Sequence, residues 1–158
     1  MEKKKIMELF IDRLQTELEI DEGCKYHIYL DHLGLPTAGI GHLLKGTDPE
    51  YNKPVGTVIS KERVDEWFEQ DIQTTLNDCR KVFDDWDSMN EEVRLICCNM
   101  MFNLGYPRFC KFKLMIQAIK DGDHIEAADQ MKQSRWYKQV TNRAERLISR
   151  MKGVDLQK

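Results

Sequence analysis

The chain has 158 residues and a formal net charge of −3, with 24 Lys and Arg against 27 Asp and Glu. That length suits one domain with room for a real core, and that charge excludes a globally basic nucleic-acid-coating protein. No apolar run approaches the roughly 20 residues of a membrane span, and Glu8 and Asp12 interrupt any signal-peptide core behind the N-terminal lysines.

Residues 3–20 place Ile6, Phe10, Leu14 and Leu18 at helical spacing, and Gly23 is the natural stop. Tyr26, Ile28 and Leu30 then alternate with Lys25, His27 and Tyr29. This predicts a short strand, a turn at 31–34 and a return strand through Thr37 and Ile40. Pro36 has no N–H to give a ladder, so it weakens the return strand or places it on an edge. Residues 45–57, with Gly46, Pro49, Pro54 and Gly56, read as a loop. Ser60 is the expected N-cap of a long helix with the stripe Val64, Trp67, Phe68, Ile72, Leu76 and Cys79, ending near Val82. Residues 90–104 are apolar nearly all round, which predicts a helix buried on most faces at the centre of a larger lobe. Gly105, Tyr106 and Pro107 end it. Residues 111–120 and 124–133 read as two short helices parted by Asp121 and Gly122, and a last helix over 142–152 is stopped by Gly153.

Over 132–152, Lys132, Arg135, Lys138, Arg143, Arg146, Arg150 and Lys152 stand against Glu145 alone. The run is either a solvated helix face or an attractive surface for an anionic polymer such as a bacterial cell wall. The five cysteines, Cys24, Cys79, Cys97, Cys98 and Cys110, are odd in number and form no C-x-x-C, so they read as small buried hydrophobes rather than a disulfide framework. Cys24, His27 and His32 fit no standard zinc spacing, and Gly39-x-Gly41 lacks the third glycine of a dinucleotide motif. No metal and no cofactor are expected.

The chemistry is concentrated in 21–44, DEGCKYHIYLDHLGLPTAGIGHLL. Glu22 ends the first helix, where the negative end of the helix dipole favours the protonated carboxyl. Asp31 lies nine residues on, where a strand meets a turn, and Thr37 follows six later. Two carboxylates held by different local structures can take different pKa values, which paired acid and base work requires. Taken singly, each has a bland reading: a helix-end Glu in solvent, a turn Asp and a β-branched strand residue.

Glu-x8-Asp-x5-Thr, opened by Asp21-Glu22-Gly23 and closed by Gly39-Ile40-Gly41-His42-Leu43-Leu44, resembles the active-site segment of T4-type phage lysozymes (endolysins, glycoside hydrolase family 24). The resemblance continues through Gln70-Asp71, Asn99-Met100, Phe102-x2-Gly105, Ala127-Ala128, Ser134-Arg135-Trp136-Tyr137 and Asn142-Arg143-Ala144. It implies a mostly α, α+β lysozyme-like fold in a single domain over 1–158. Within it, a small β-containing lobe at 22–60 would be joined by a helix at 60–82 to a helical lobe at 1–21 and 82–158, with the substrate cleft between lobes. It further implies Glu22 as general acid, Asp31 as the base that activates a water, and Thr37 as the residue that orients this water. Leu43, Phe102 and Gln130 match positions that touch the glycan. Arg143 matches one near the acid, where it would favour the charged carboxylate. His42 and Asp71 match a structural salt bridge. Two departures concern length: 43–59 is shorter by one small helix, and the N-terminus is longer by about three helical turns. Met115 takes a cleft position that is usually small and polar, and Gln130 is an amide one methylene longer than usual.

The expectation is therefore a muramidase that hydrolyses the β-1,4 bond between N-acetylmuramic acid and N-acetylglucosamine in peptidoglycan. It would be a monomer with no nucleic-acid partner and no stable membrane association. Made without a signal peptide in the host cytoplasm, it would act on the periplasmic wall and lyse the cell. The alternative is a catalytically silent wall-binding or structural module on the same fold, which a turbidity assay on permeabilised bacteria separates from an enzyme. An inverting mechanism is expected, with a carboxylate separation of roughly 6.5–9.5 Å rather than the roughly 5–5.5 Å of direct attack.

Overall fold

In a computed structural model, which describes residues 2–157, the first helix is α1 (Lys3–Glu22). It buries Phe10, Leu14 and Leu18, the stripe its spacing predicts. Gly23 ends it at φ 70°, a conformation that any residue with a Cβ resists, and its N–H caps the carbonyl of Glu19 at 2.9 Å. Glu22 is thus fixed as the last helical residue.

Three antiparallel strands follow, β1 (Lys25–Leu30), β2 (Pro36–Gly39) and β3 (His42–Leu43), in the order β1-β2-β3. The expected return strand is therefore central rather than an edge. Pro36 is tolerated because it is the first residue of β2, where it pairs with Leu30 and contributes only its carbonyl, to Leu44 N–H at 3.0 Å. The return strand is also shorter than its pattern suggests. Ile40 and Gly41 form the turn into β3, which pairs His42 with Ala38 and Leu43 with Thr37. Residues 45–60 run as turns, yet they are tied back to β1 by Ile28 N–H to Thr57 O at 2.9 Å and Ile59 N–H to Tyr26 O at 2.9 Å. This loop therefore flanks the sheet on its β1 side.

Helix α2 (Lys61–Val82) starts where Ser60 predicts, with Ser60 Oγ accepting from Arg63 N–H at 3.1 Å. The chain divides into two compact units, Met1–Thr74 and Thr75–Lys158, with the boundary inside α2. Helix α1, which the sequence reading places with the later helices, falls in the unit that holds the sheet.

The second unit is helical. At its centre is α3 (Glu91–Leu104), capped by the Asn90 side chain, with Val93, Leu95 to Met101 and Leu104 all buried. It packs on α8 (Thr141–Gly153), which contributes Ala144, Leu147, Ile148 and Met151. Each Val, Leu, Ile or Met among these, fully removed from water, is worth about 1.5–3 kcal/mol. Between them run α4 (Tyr106–Phe109), α5 (Lys113–Lys120), α6 (His124–Lys132) and α7 (Arg135–Gln139). Helices α4 and α7, and the 3₁₀ turn at Trp86–Ser88, are too short for a hydrophobic period to show in sequence. Gly153 ends α8, but the chain continues as a 3₁₀ turn, Val154–Gln157. Cys79, Cys97 and Cys98 are buried in this unit as small hydrophobes, while Cys24 is exposed and Cys110 is partly so. A hydrogen bond with Cys98, then burial, pushes the Cys79 thiol well above its ordinary pKa and keeps it neutral. Among the described residues, no helix is long and apolar enough to cross a membrane.

Candidate active site

Asp31 stands just past β1, at the start of the turn into β2. Its Oδ1 accepts two backbone bonds, from Leu33 N–H at 2.8 Å and Leu35 N–H at 2.9 Å. Its own N–H donates to Leu35 O at 2.9 Å and its carbonyl takes Gly34 N–H at 2.9 Å. The side chain is therefore locked in an Asx-type turn. Oδ2 has no protein partner among the described residues, so one oxygen is fixed by the backbone and the other is available.

Thr37 lies opposite Tyr29 in the β1–β2 ladder and is buried. Its hydroxyl donates to Leu35 O at 2.9 Å. With its proton so committed, Oγ can act toward a water only as an acceptor. The backbone of Leu35 links both groups: its N–H orients Asp31 and its carbonyl orients Thr37.

Glu22 projects from the C-terminus of α1 and is half-buried. Its carboxyl lies directly over the backbone of Gly41, in the turn between β2 and β3. Tyr29 completes this face. Lys25 Nζ sits 4.1 Å from the centre of its ring, and His27 meets the ring edge-on with centroids 6.3 Å apart. Burial, then the charges of Glu22 and Asp31, raise the Tyr29 phenol above its ordinary pKa. Tyr29 is therefore within electrostatic reach of both carboxylates. In the sequence Tyr29 is only one of the alternating residues of a strand. The available signal is that it lies two positions before Asp31, on the same face of the chain.

His42 is buried on β3 and clamped from both ring nitrogens: Nδ1 to Asp71 Oδ2 at 2.6 Å and Nε2 to Asp48 Oδ2 at 2.9 Å. The His42–Asp71 pair is the one the resemblance implies. Asp48 is a second partner that the sequence reading leaves in a loop. Its Oδ2 also accepts Lys45 N–H at 2.9 Å. The imidazole stacks on Trp67, with centroids 4.4 Å apart and planes at 12°, and the Arg63 guanidinium lies 4.6 Å from the same indole. Arg63 in turn binds Glu50 at 2.8 Å and Glu66 at 2.6 Å. Burial opposes charge on His42, but Asp71 and then Asp48 outweigh it and hold the imidazole above its ordinary pKa. Burial likewise opposes charge on Asp48, but the Lys45 N–H and His42 outweigh it and hold this carboxyl below its ordinary value. The 43–59 segment is thus tied to α2 by an ionic network, beside its backbone bonds to β1. Leu43, next to His42, is exposed.

The other candidate contacts lie in the helical unit. Phe102 is half-buried on α3. Arg143 is buried, with Nε donating to Asn99 Oδ1 at 2.7 Å and a terminal nitrogen to Asn99 O at 3.3 Å. Arg150 binds Glu92, and Glu145 accepts from the Tyr137 hydroxyl. The basic run over 132–152 is therefore not one solvated face, because its periodicity turns Arg143 inward and pairs Arg150. Gln130 donates to Glu126 at 2.7 Å and lines a groove of about 590 Å³. The groove has an apolar floor that includes Phe112, Met115 and Trp136, and a rim with Arg108, Lys111, Lys113 and Arg135. Among the described residues that line it there is no carboxylate.

A sequence model of the family described as phage lysozyme matches residues 19–153. The chain is similar to the pre-baseplate central spike protein Gp5 of Enterobacteria phage T4, 30% identical over 148 residues that cover 82% of this chain and 26% of the spike protein. It is similar to probable T4-type lysozyme 2 of Dictyostelium discoideum, 27% identical over 158 residues that cover 88% of this chain and 93% of that protein. It is also similar to the peptidoglycan hydrolase gp36 of Pseudomonas phage phiKMV, 30% identical over 137 residues, 87% of this chain and 15% of the hydrolase. The chain thus spans only a minor part of either phage protein but nearly the full length of the Dictyostelium one.

Proposed function

The chain belongs to the phage lysozyme family, a family of glycoside hydrolases, and we propose that it is an endolysin-type muramidase that cuts the β-1,4 bond between N-acetylmuramic acid and N-acetylglucosamine with inversion. The observation that carries this reading is the Asp31–Leu35–Thr37 arrangement. The backbone of one residue, Leu35, orients both a carboxylate with an open oxygen and a hydroxyl that can only accept. In the proposed step, Glu22 gives its proton to the departing glycosidic oxygen. A water donates hydrogen bonds to Asp31 Oδ2 and Thr37 Oγ and attacks the anomeric carbon from the opposite face. Asp31 takes a proton from that water, so the new hydroxyl is α and no sugar is attached to the enzyme. Proton exchange with solvent then restores both carboxyls.

The groove beside Gln130 supports an anionic polymer as substrate, since an apolar floor rimmed by cations suits a glycan carrying peptide carboxylates. Rapid proton NMR of a defined glycan fragment tests the mechanism. The α-anomer is expected first. A β-anomer appearing first, or sugar trapped on Asp31 and seen by mass spectrometry, overturns it.

A further inference from the structure

Gly41 carries a positive φ of 60°, so its backbone already favours glycine. A second reason is independent of the first. A Cβ built on Gly41 would sit 2.7 Å from Glu22 Oε1, 2.8 Å from Glu22 Cδ and 3.0 Å from Glu22 Cγ. The space where this residue lacks a side chain is filled by the carboxyl of the candidate acid. Most other glycines in the described chain, including Gly23, Gly34 and Gly56, have nothing within 4 Å of that position, and at Gly39 it meets only Val64. Glu22 belongs to α1 and Gly41 to the β2–β3 turn, so the contact also sets the helix end against the sheet.

We infer that Gly41 is a positioning residue for the general acid: its bare backbone is the seat that fixes where the Glu22 carboxyl points. The inference rests on the reading of Glu22 as the acid. The physical consequence is asymmetric. The three atoms nearest to a methyl group at position 41 all belong to the flexible Glu22 side chain, not to backbone or a packed ring, so Glu22 would move while the fold stays. The loss should therefore fall on turnover. A catalytic group misplaced by about 1 Å can reduce rate about 10²-fold.

The test compares Gly41→Ala with Gly56→Ala, which carries the same kind of conformational strain at φ 93° but has nothing within 4 Å of its added methyl. On a soluble peptidoglycan fragment, Gly41→Ala should lose about 10²-fold in kcat with KM little changed, while Gly56→Ala keeps its kcat. Both variants should melt together. Against Glu22→Asp, whose acid is already withdrawn by one methylene, adding Gly41→Ala should bring no further loss. Binding to insoluble peptidoglycan should be equal for Glu22→Gln with and without Gly41→Ala. If Gly41→Ala proves poorly folded, Glu22→Ala in the same chain should raise its melting temperature toward that of Gly56→Ala, because the collision is gone and only the strain of the positive φ remains. The inference is overturned if Gly41→Ala keeps kcat within about threefold, if its loss adds in full to that of Glu22→Asp, or if Glu22→Ala restores nothing. An active Glu22→Gln enzyme would instead remove the acid assignment and this inference with it. An inactive Glu22→Gln beside a fully active Gly41→Ala removes this inference alone.

Discussion

Two carboxylate sites lie within one unit and use their acids in opposite ways. Around His42, Asp48 and Asp71 meet a buried imidazole from both sides, and Arg63 closes the network. Every acid there faces a cation, and the result is a staple between β3, the following loop and α2. At the hairpin, Asp31 is held by peptide N–H groups, which orient it without neutralising it, and Oδ2 is left open. The difference is between a counter-ion and a backbone clamp. A carboxylate matched to a cation stabilises the fold and has little left to give a substrate. One oriented by amides keeps an oxygen open.

Substitutions can break this contrast, and the hairpin should show the largest effects. Glu22→Gln cannot deliver a proton and should lose about 10²–10⁴-fold or more in the rate of lysis of permeabilised cells, with the melting temperature preserved. Asp31→Asn retains Oδ1 as acceptor for Leu33 and Leu35 N–H but has no base, so a loss of about 10²–10⁴-fold with a normal melting curve is expected. A large loss of stability in that variant would move Asp31 into the same class as Asp48. Thr37→Val keeps shape but removes one acceptor for the water. A fall of about tenfold in kcat follows if that bond is worth about 1–1.5 kcal/mol.

The ionic staple around His42 should respond in stability rather than in rate. Asp48→Asn removes a charged partner from a buried imidazolium and should cost about 1.5–3 kcal/mol in denaturant unfolding, with turnover retained. The pH window follows from the two shifts. His42 is held high, so its contribution is complete below the unfolded value of about 6.5 and disappears as pH rises through the folded pKa. Asp48 is held low, so its contribution is complete above the unfolded value of about 3.9 and disappears as pH falls through the folded pKa. The gap between wild type and Asp48→Asn should therefore be widest at about pH 4–6.5 and narrow on either side. An equal gap at pH 9 would show that Asp48 acts through packing. The smallest expected effect is a gradual fall in lysis rate with added salt, if the cations around the helical groove draw in an anionic wall.

Sequence alone determined what depends on residues near one another in the chain. The stripe of α1, its stop at Gly23, the Ser60 cap and the all-round apolar α3 are written in local periodicity and turn chemistry. So is the order Glu22, Asp31, Thr37, since a helix end, a turn and a strand follow each other within a short stretch. Tertiary structure decided what depends on partners far along the chain. It made β2 central despite Pro36, because β3 supplies a second neighbour. It turned Arg143 inward to Asn99, 44 positions away, and so divided a basic run that looked continuous. It brought Asp48 to the nitrogen of His42 opposite the Asp71 that the resemblance implies, and it laid Glu22 on the bare backbone of Gly41. The physical reason is the same in each case. A hydrophobic period or a turn is set by short-range sterics and burial, whereas a charge pair or a steric seat exists only once the loops between its members have closed.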